Sequence, residues 1–292
     1  MINLSDYELS EISHHLGESY PINIEPVYGG NINSTWRLDF KQFKIFVKKN
    51  ISKKPFLKFE EYCLSDLKNY IDEEYLLIPK VIIYKKIKSA EILVLEWIDM
   101  NNYDQRKLGK GLAIMHLNSQ LHASKKFGYS VAGFIGTNPQ TRGWDENWAD
   151  FFIQFRIMPQ LSYLKQDFLS SEIKVNLISK IKKTLSVHQP MISLVHGDLW
   201  SGNIGIGKND KGIIFDPASW WADNEVDIAM SKLFGGFGYE FYEEYYKVIK
   251  KLEDNDKRSA IYNLYHILNH ANMFGGGYFS QLRKQIQFIL DC

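Results

Sequence analysis

The run Leu194-Val195-His196-Gly197-Asp198-Leu199-Trp200-Ser201-Gly202-Asn203, followed by Ile213-Ile214-Phe215-Asp216-Pro217, constrains this chain more than any other stretch. Two apolar residues lead into His-Gly-Asp, Asn203 follows Asp198 by five positions, and a short apolar strand delivers a second acid, Asp216. Each of these residues alone is ordinary in a loop; their order is what carries information. Moving a phosphoryl group from ATP to a hydroxyl needs one carboxylate to accept the proton of the attacking oxygen. It also needs an amide oxygen and a second carboxylate to hold Mg²⁺ against the phosphates. On this reading Asp198 is the catalytic base and Asn203 and Asp216 are the metal ligands.

Protein kinases carry His-Arg-Asp with an Asn five residues on, and later Asp-Phe-Gly. Here Gly197 stands in place of the Arg and Pro217 in place of the Phe. The variant resembles the small-molecule branch of the kinase fold, which includes aminoglycoside, choline and ketosamine kinases. Taken in order, the chain supplies the other parts. Ser5, with Glu8 three positions on and Gly17 at the end, marks a capped helix over 5–16. Gly29, Gly30, Asn31 and Asn33 lie between a strand ending near Val27 and another opening at Trp36, where a backbone without side chains comes close to phosphates. Lys48 ends the apolar strand from Phe43, eighteen residues after Gly30, and is the expected phosphate-binding lysine. Lys44 and Lys49 are rivals, since Lys44, Phe46 and Lys48 share one strand face. The spacing predicts a helix over 55–69, with Glu60 as the ion-pair partner of that lysine and Glu61 as the alternative.

Strands at 79–84 and 91–98 complete a five-stranded antiparallel sheet. Glu96, Trp97 and Ile98 close it, at a hinge whose backbone would meet an adenine edge. The lobe boundary is expected near residue 100, giving an N-terminal nucleotide-binding lobe, 1–100, and a C-terminal catalytic lobe, 101–292. A helix follows over 104–122 with Leu108, Leu112, Met115 and Leu121 as its stripe, then a loop over 133–143. Helices are also expected through 144–155, over about 170–186, and through 237–290. Past Asp216, flat aromatic faces stack on sugar rings, so Trp220 and Trp221, with Glu225 beyond them, are expected at the acceptor site. Packing against the following helix is the alternative. Asp227 is expected to steady the catalytic loop through its backbone or through His196.

Bulk properties narrow the class. Among 292 residues, Lys plus Arg number 35 and Asp plus Glu 34, a net charge of +1. That balance calls for neither nucleic acid nor an anionic membrane. Cys63 and Cys292 offer no metal spacing and too few thiols for a disulfide framework, which points to a reducing cytoplasm. No apolar run is long enough to span a membrane, and the first residues do not read as a signal peptide.

A narrower resemblance spans nearly the whole chain. It rests on Gly29-Gly30-Asn31-Ile32-Asn33, on Trp144 to Phe152, on Arg156 with Pro159-Gln160-Leu161, on Leu194 to Asn203, and on Asp216-Pro217-Ala218 through Asp227-Ile228-Ala229-Met230 into Leu233-Phe234-Gly235-Gly236-Phe237. These resemble the fructosamine (ketosamine) kinase family. The resemblance implies an α+β, bilobal, protein-kinase-like fold, with a mostly helical C-terminal lobe. It implies ATP-dependent phosphorylation, with Mg²⁺, of a sugar hydroxyl (O3) on a ketosamine such as a ribulosamine, erythrulosamine or fructosamine, and a monomer by default. By position it assigns Asp198, Asn203, Asp216, Lys48 and Glu60 the roles given above. Two departures stand out. Some members carry a Cys in the glycine-rich loop where this chain has Asn31, and many carry Tyr-Tyr where it has Trp220-Trp221, which is expected to reshape the acceptor pocket. The alternatives are a kinase of another small molecule, of aminoglycoside or choline type, and a non-catalytic nucleotide-binding pseudokinase.

Overall fold

Ser5 and Glu8 set the start of the first helix, α1 (Asp6–Leu16). The Ser5 hydroxyl accepts from the Glu8 amide, and the Glu8 carboxylate accepts from the Ser5 amide at 2.7 Å. Gly17 ends the helix in the left-handed region, at φ 69°. The computed structural model describes residues 3–28, 33–88 and 90–292; the calls on Gly29, Gly30 and Asn31 lie outside these. Lys49 reaches the same Glu8 carboxylate at 2.7 Å and ties α1 to the sheet.

That sheet has five antiparallel strands: β1 (Asn23–Pro26), β2 (Ser34–Asp39), β3 (Lys44–Asn50), β5 (Val81–Ile87) and β6 (Ala90–Glu96), in the order β1-β2-β3-β6-β5. Alternation sorts its faces. Ile45 and Val47 of β3 point with Trp36, Leu38, Ile92 and Val94 into a small core closed by Leu9 and Ile12 of α1. Phe46 and Lys48 point the other way, toward the second helix, α2 (Phe56–Leu67), and the interlobe cleft. A short strand, β4 (Leu76–Leu77), leaves the N-terminal sheet altogether. It runs parallel to Gly212–Ile214 in a three-stranded unit with Ile204–Ile206, so residues on both sides of position 100 share this unit.

The rest is mainly helical. The third helix, α3 (Arg106–Gln120), buries Leu108, Leu112 and Met115. Leu121 falls past its end and is 82% exposed, so it does not belong to the stripe. Gly109 lets the backbone of helix Tyr239–Val248 pack close, since a Cβ there would lie 2.1 Å from the Phe241 carbonyl oxygen. The segment expected to be a loop over 133–143 instead contains a tight hairpin, Gly133–Ile135 with Asn138–Gln140. Gly136 at φ 59° makes the turn possible. A second sheet pairs Gly143–Asp145, Phe127–Tyr129, Trp220–Asp223 and Ile192–Val195 in that order, and its last strand feeds the His-Gly-Asp loop. Helices Asn255–Phe274 and Gly277–Asp291 close the fold. Among the described residues no helix is long and apolar enough to cross a membrane.

Burial works against ionisation of Glu8, but the Lys49 ammonium and the Ser5 donors outweigh it and hold the carboxyl below its ordinary value of 4.5. The stability this provides is present above the unfolded value and is lost as pH falls through the lower folded one. Glu8→Ala should therefore cost about 1–2 kcal/mol near neutral pH, on the scale of a lost cap. Part of the acid sensitivity below pH 4.5 should disappear with it. Urea unfolding of both proteins at pH 7 and pH 3 checks this; equal stabilities at pH 7 would contradict it.

Candidate active site

The apolar strand Ile192–Val195 ends at His196, and Asp227 receives the chain there. The Asp227 carboxylate, on helix Glu225–Leu233, accepts from the His196 amide at 2.7 Å and from the Gly197 amide at 2.9 Å. Its Oδ2 also lies 3.2 Å from His116 Nε2 on α3. The His196 side chain turns inward. Nε2 sits 2.9 Å from the Phe215 carbonyl, which can only accept, so Nε2 carries the proton and Nδ1 is left to accept from the Asp198 amide at 3.3 Å. Burial lowers the His196 pKa, which favours that neutral form.

Gly197 is dictated by space. Its φ is +81°, and a Cβ there would stand 2.2 Å from the Ala218 carbonyl oxygen. The loop and the segment after Asp216 are held together at this point, since the Ala218 amide donates to the His196 carbonyl at 2.9 Å. Gly197→Ala should therefore displace Asp198 and cost at least about tenfold in kcat, because small misplacements of a reacting group are expensive. Steady-state kinetics beside a thermal melt checks this; unchanged kcat in a folded variant would contradict it.

Asn203 and Asp216 converge on Asp198 from two further turns. Asn203 is buried, and its Nδ2 donates to the Asp198 carbonyl at 2.9 Å and to the Asp198 Oδ2 at 3.2 Å. Its Oδ1 therefore points away from those groups. The Phe215 amide donates to the Asn203 carbonyl at 3.1 Å, binding the two ligand-bearing segments together. Asp216 takes a left-handed φ of 55°, a conformation that Asp adopts more readily than most residues. Burial, with the Asp216 charge beside it, pushes the Asp198 carboxyl up to about 7.

Lys48 crosses the cleft from β3. It is 4% exposed, and its ammonium meets Glu60 of α2 at 2.7 Å and also bonds Asp216 Oδ1. Burial works against the ammonium, but Asp216 and Glu60 outweigh it and hold Lys48 above the ordinary lysine range. The rivals are placed elsewhere: Lys44 is exposed, Lys49 pairs with Glu8, and Glu61 pairs with Lys58 on the helix surface.

These groups line a cleft of about 930 Å³. At one end lie Val27, Tyr28, Phe46, Leu95, Trp97 and Ile98. Asn33 and the Glu96 side of the hinge border the same space. Trp97 is steadied by its indole N–H on Asp99 at 2.8 Å and by the Arg37 guanidinium 5.4 Å from the ring. At the other end stand Trp200, Phe234, Asn269, His270, Phe274 and Tyr278. Phe234 and His270 are 4.8 Å apart, and His270 and Tyr278 are 5.1 Å apart.

Three residues expected at the acceptor, Trp220, Trp221 and Glu225, do not line the cleft. Trp220 is 0% exposed, with Trp148 and Phe151 stacked on it and the Arg156 guanidinium 4.0 Å over its ring. Trp221 takes the other face of the same strand and meets Tyr70 edge-on at 5.9 Å. Glu225 is buried in a two-pronged pair with Arg258, at 2.6 and 2.8 Å. The reason is pairing: Trp220 and Trp221 are opposite Val195 and Leu194, so they belong to a core strand. The Trp-Trp departure therefore alters core packing rather than the cleft. The aromatic end that sequence reasoning missed had one legible signal, His270, Phe274 and Tyr278 at steps of four. Phe234 stands in the Leu233-Phe234-Gly235-Gly236-Phe237 run, which in the sequence is a family mark alone.

Residues 6–292 match the family described as fructosamine kinase. The chain belongs to the fructosamine kinase family. It is 35% identical to the probable ketoamine kinase of Synechocystis sp. over 284 residues, covering 96% of this chain and 95% of the relative. It is 34% identical to the chloroplastic protein-ribulosamine 3-kinase of Oryza sativa subsp. japonica, covering 92% and 78%. Among solved structures, a fructosamine-3-kinase candidate from Haemophilus somnus superposes with a TM-score of 0.84 at 28% identity, covering 97% and 96%. An aminoglycoside phosphotransferase superposes at 0.66 with 13% identity, covering 98% of each chain, which shows that the two share the kinase-like fold and no more. The fructosamine kinase fold here is accordingly bilobal and protein-kinase-like, with its cleft between the five-stranded sheet and the helical lobe.

Proposed function

We propose that this protein transfers the γ-phosphoryl group of ATP to the O3 hydroxyl of a ketosamine, with a ribulosamine or erythrulosamine preferred over a fructosamine. The observation that carries the reading is that Lys48 and Glu60, from the sheet side, and Asp198, Asn203 and Asp216, from the catalytic loops, line one cleft and are joined across it by the Lys48–Asp216 pair. All five positions hold chemically competent residues, which speaks against a pseudokinase. The other end of the cleft speaks against a polycationic acceptor. Its described lining there, Trp200, Phe234, Asn269, His270, Phe274 and Tyr278, carries no carboxylate. An aminoglycoside would find little negative charge there to match its own.

The donor set fits Mg²⁺. Asn203 keeps its amide oxygen free by donating through Nδ2, and Asp216 supplies a partly exposed carboxylate, so both offer the hard oxygen ligands that this ion takes. Bound there, Mg²⁺ would supply charge neutralisation for the phosphates. The protein's own residues do the remaining work. Asp198 orients the sugar hydroxyl and takes its proton, and a carboxyl titrating near neutrality suits that task. Lys48 presents its ammonium to phosphate oxygens, and Glu60 keeps it in place. Asp227 and His196 hold the loop so that positioning rather than covalent chemistry lowers the barrier. A monomer acting in a reducing cytoplasm, in the reversal of sugar adducts on amines, suits the same reading.

Product analysis tests it. With Mg²⁺-ATP and ribulosyl-lysine, phosphorus NMR should show a ketosamine 3-phosphate formed one-for-one with ADP. A product phosphorylated at another oxygen would overturn the O3 assignment.

A further inference from the structure

Asn269 carries a buried amide whose orientation the surrounding residues settle. It is 2% exposed, on helix Asn255–Phe274, and it lines the aromatic end of the cleft. Its orientation is fixed from Asn272, later on the same helix. Asn272 Nδ2 lies 2.9 Å from the backbone carbonyl of Gln160, which can only accept. That nitrogen also lies 2.8 Å from the Gln160 side chain, so the atom it meets there is Oε1. Gln160 must then present its Nε2 to Asn269, which it does at 3.4 Å. Asn138, from the hairpin over the cleft, presents its own Nδ2 to the same Asn269 oxygen at 2.8 Å. Two donors on one oxygen leave Asn269 Nδ2 facing the other way.

What Nδ2 faces is nearly empty of acceptors. Its one described partner is the Met273 sulfur at 3.5 Å, a weak acceptor. Gly136 stands beside it: a Cβ at that position would be 2.4 Å from the Met273 sulfur and 3.6 Å from Nδ2. Gly136, Asn269 and Met273 all line the cleft that holds Asp198. A buried donor with so poor a partner is costly unless a ligand completes it.

We infer that Asn269 Nδ2 donates a hydrogen bond to an oxygen of the sugar part of the acceptor, other than the oxygen that is phosphorylated, and so selects polyhydroxylated acceptors over apolar ones. This rests on reading that end of the cleft as the acceptor site. Gln160 and Asn138 act through Asn269 as positioning residues, which gives a role to the Pro159-Gln160 motif that the catalytic chemistry leaves unused. A site built to pair with a hydroxyl or carbonyl rejects an analogue that lacks it, because the donor is then left buried and unpaired.

The test is a cycle of two proteins and a set of substrates. The parent protein and Asn269→Ala are assayed with a ketosamine and with analogues each lacking one sugar oxygen other than O3. In the parent, one deletion should lower kcat/KM by about 10–100-fold. Asn269→Ala should show a loss of that size on the intact ketosamine and no further loss on that one analogue, with KM for ATP unchanged. Losses that simply multiply would mean that Asn269 only supports the fold. A parent series in which no single deletion costs more than about threefold would overturn the inference without any variant. If Asn269→Ala fails to fold, Asn269→Ser completes the cycle with the same criterion. Absence of any ketosamine turnover by the parent would instead overturn the proposed function itself.

Discussion

Asp198→Asn should lower kcat by about 10²–10⁴ while ATP affinity stays nearly that of the parent, the signature of a lost general base rather than a lost binding group. The substitution preserves shape. The Asn203 amide still finds the backbone carbonyl of residue 198, its nearer partner at 2.9 Å, so the loop keeps its geometry. The change removes the proton acceptor and one negative charge beside Asp216. Steady-state kinetics with a ketosamine and calorimetric titration of Mg²⁺-ATP separate the two effects. Turnover at the parent rate would show that Asp198 is not the base.

Lys48→Met should lower kcat/KM for ATP by about 10²–10³, the usual effect of removing one preorganised charge or donor from a phosphate or oxyanion. It should also be felt in stability. Lys48 is the shared partner of Glu60, buried in the N-terminal lobe, and of Asp216 in the loop. Removing it leaves Glu60 buried without a counter-charge, a situation that costs up to about 3–5 kcal/mol where both partners are fully buried; the partial exposure of Asp216 lowers that figure here. A second change, Glu60→Gln in the Lys48→Met background, should restore much of the stability and none of the activity. Melting temperature and kcat/KM on the single and double variants measure this. Activity that recovers with stability would mean that Lys48 serves only the fold.

How much of this could be read without coordinates depends on how local each feature is. The His-Gly-Asp loop was legible because Asp198 and Asn203 lie within a few residues of each other and bond locally, although Asp227, which holds the His196 and Gly197 amides, comes from much further along the chain. The capped first helix was legible for the same reason, since Ser5 and Glu8 bond each other. The choice among Lys44, Lys48 and Lys49 was not, because strand parity puts Lys44 and Lys48 on one face. What separates them is the position of α2, from which Glu60 reaches Lys48. For Trp220 and Trp221 the sequence leaves the acceptor site and core packing both open, since proximity to Asp216 along the chain does not fix which way they face. Their pairing with Leu194 and Val195 decides between them, and two apolar partners opposite two tryptophans are a core pattern. The aromatic end of the cleft was legible only in the spacing of His270, Phe274 and Tyr278, because it is assembled from Trp200, Phe234 and the C-terminal end of helix Asn255–Phe274 with Tyr278 beyond it, segments distant in sequence. The Asn269 amide lay further still from view, since its orientation depends on a chain of contacts through Asn272, Gln160 and Asn138.

The central claim, a ketosamine kinase, is tested most directly by Mg²⁺-dependent ATP consumption against ribuloselysine, erythruloselysine, fructoselysine, kanamycin and choline. The account predicts turnover of the ketosamines alone, with the ribulose and erythrulose adducts ahead of the fructose adduct. Turnover of kanamycin or choline without the ketosamines would contradict it, as would ATP binding with no turnover of any of the five.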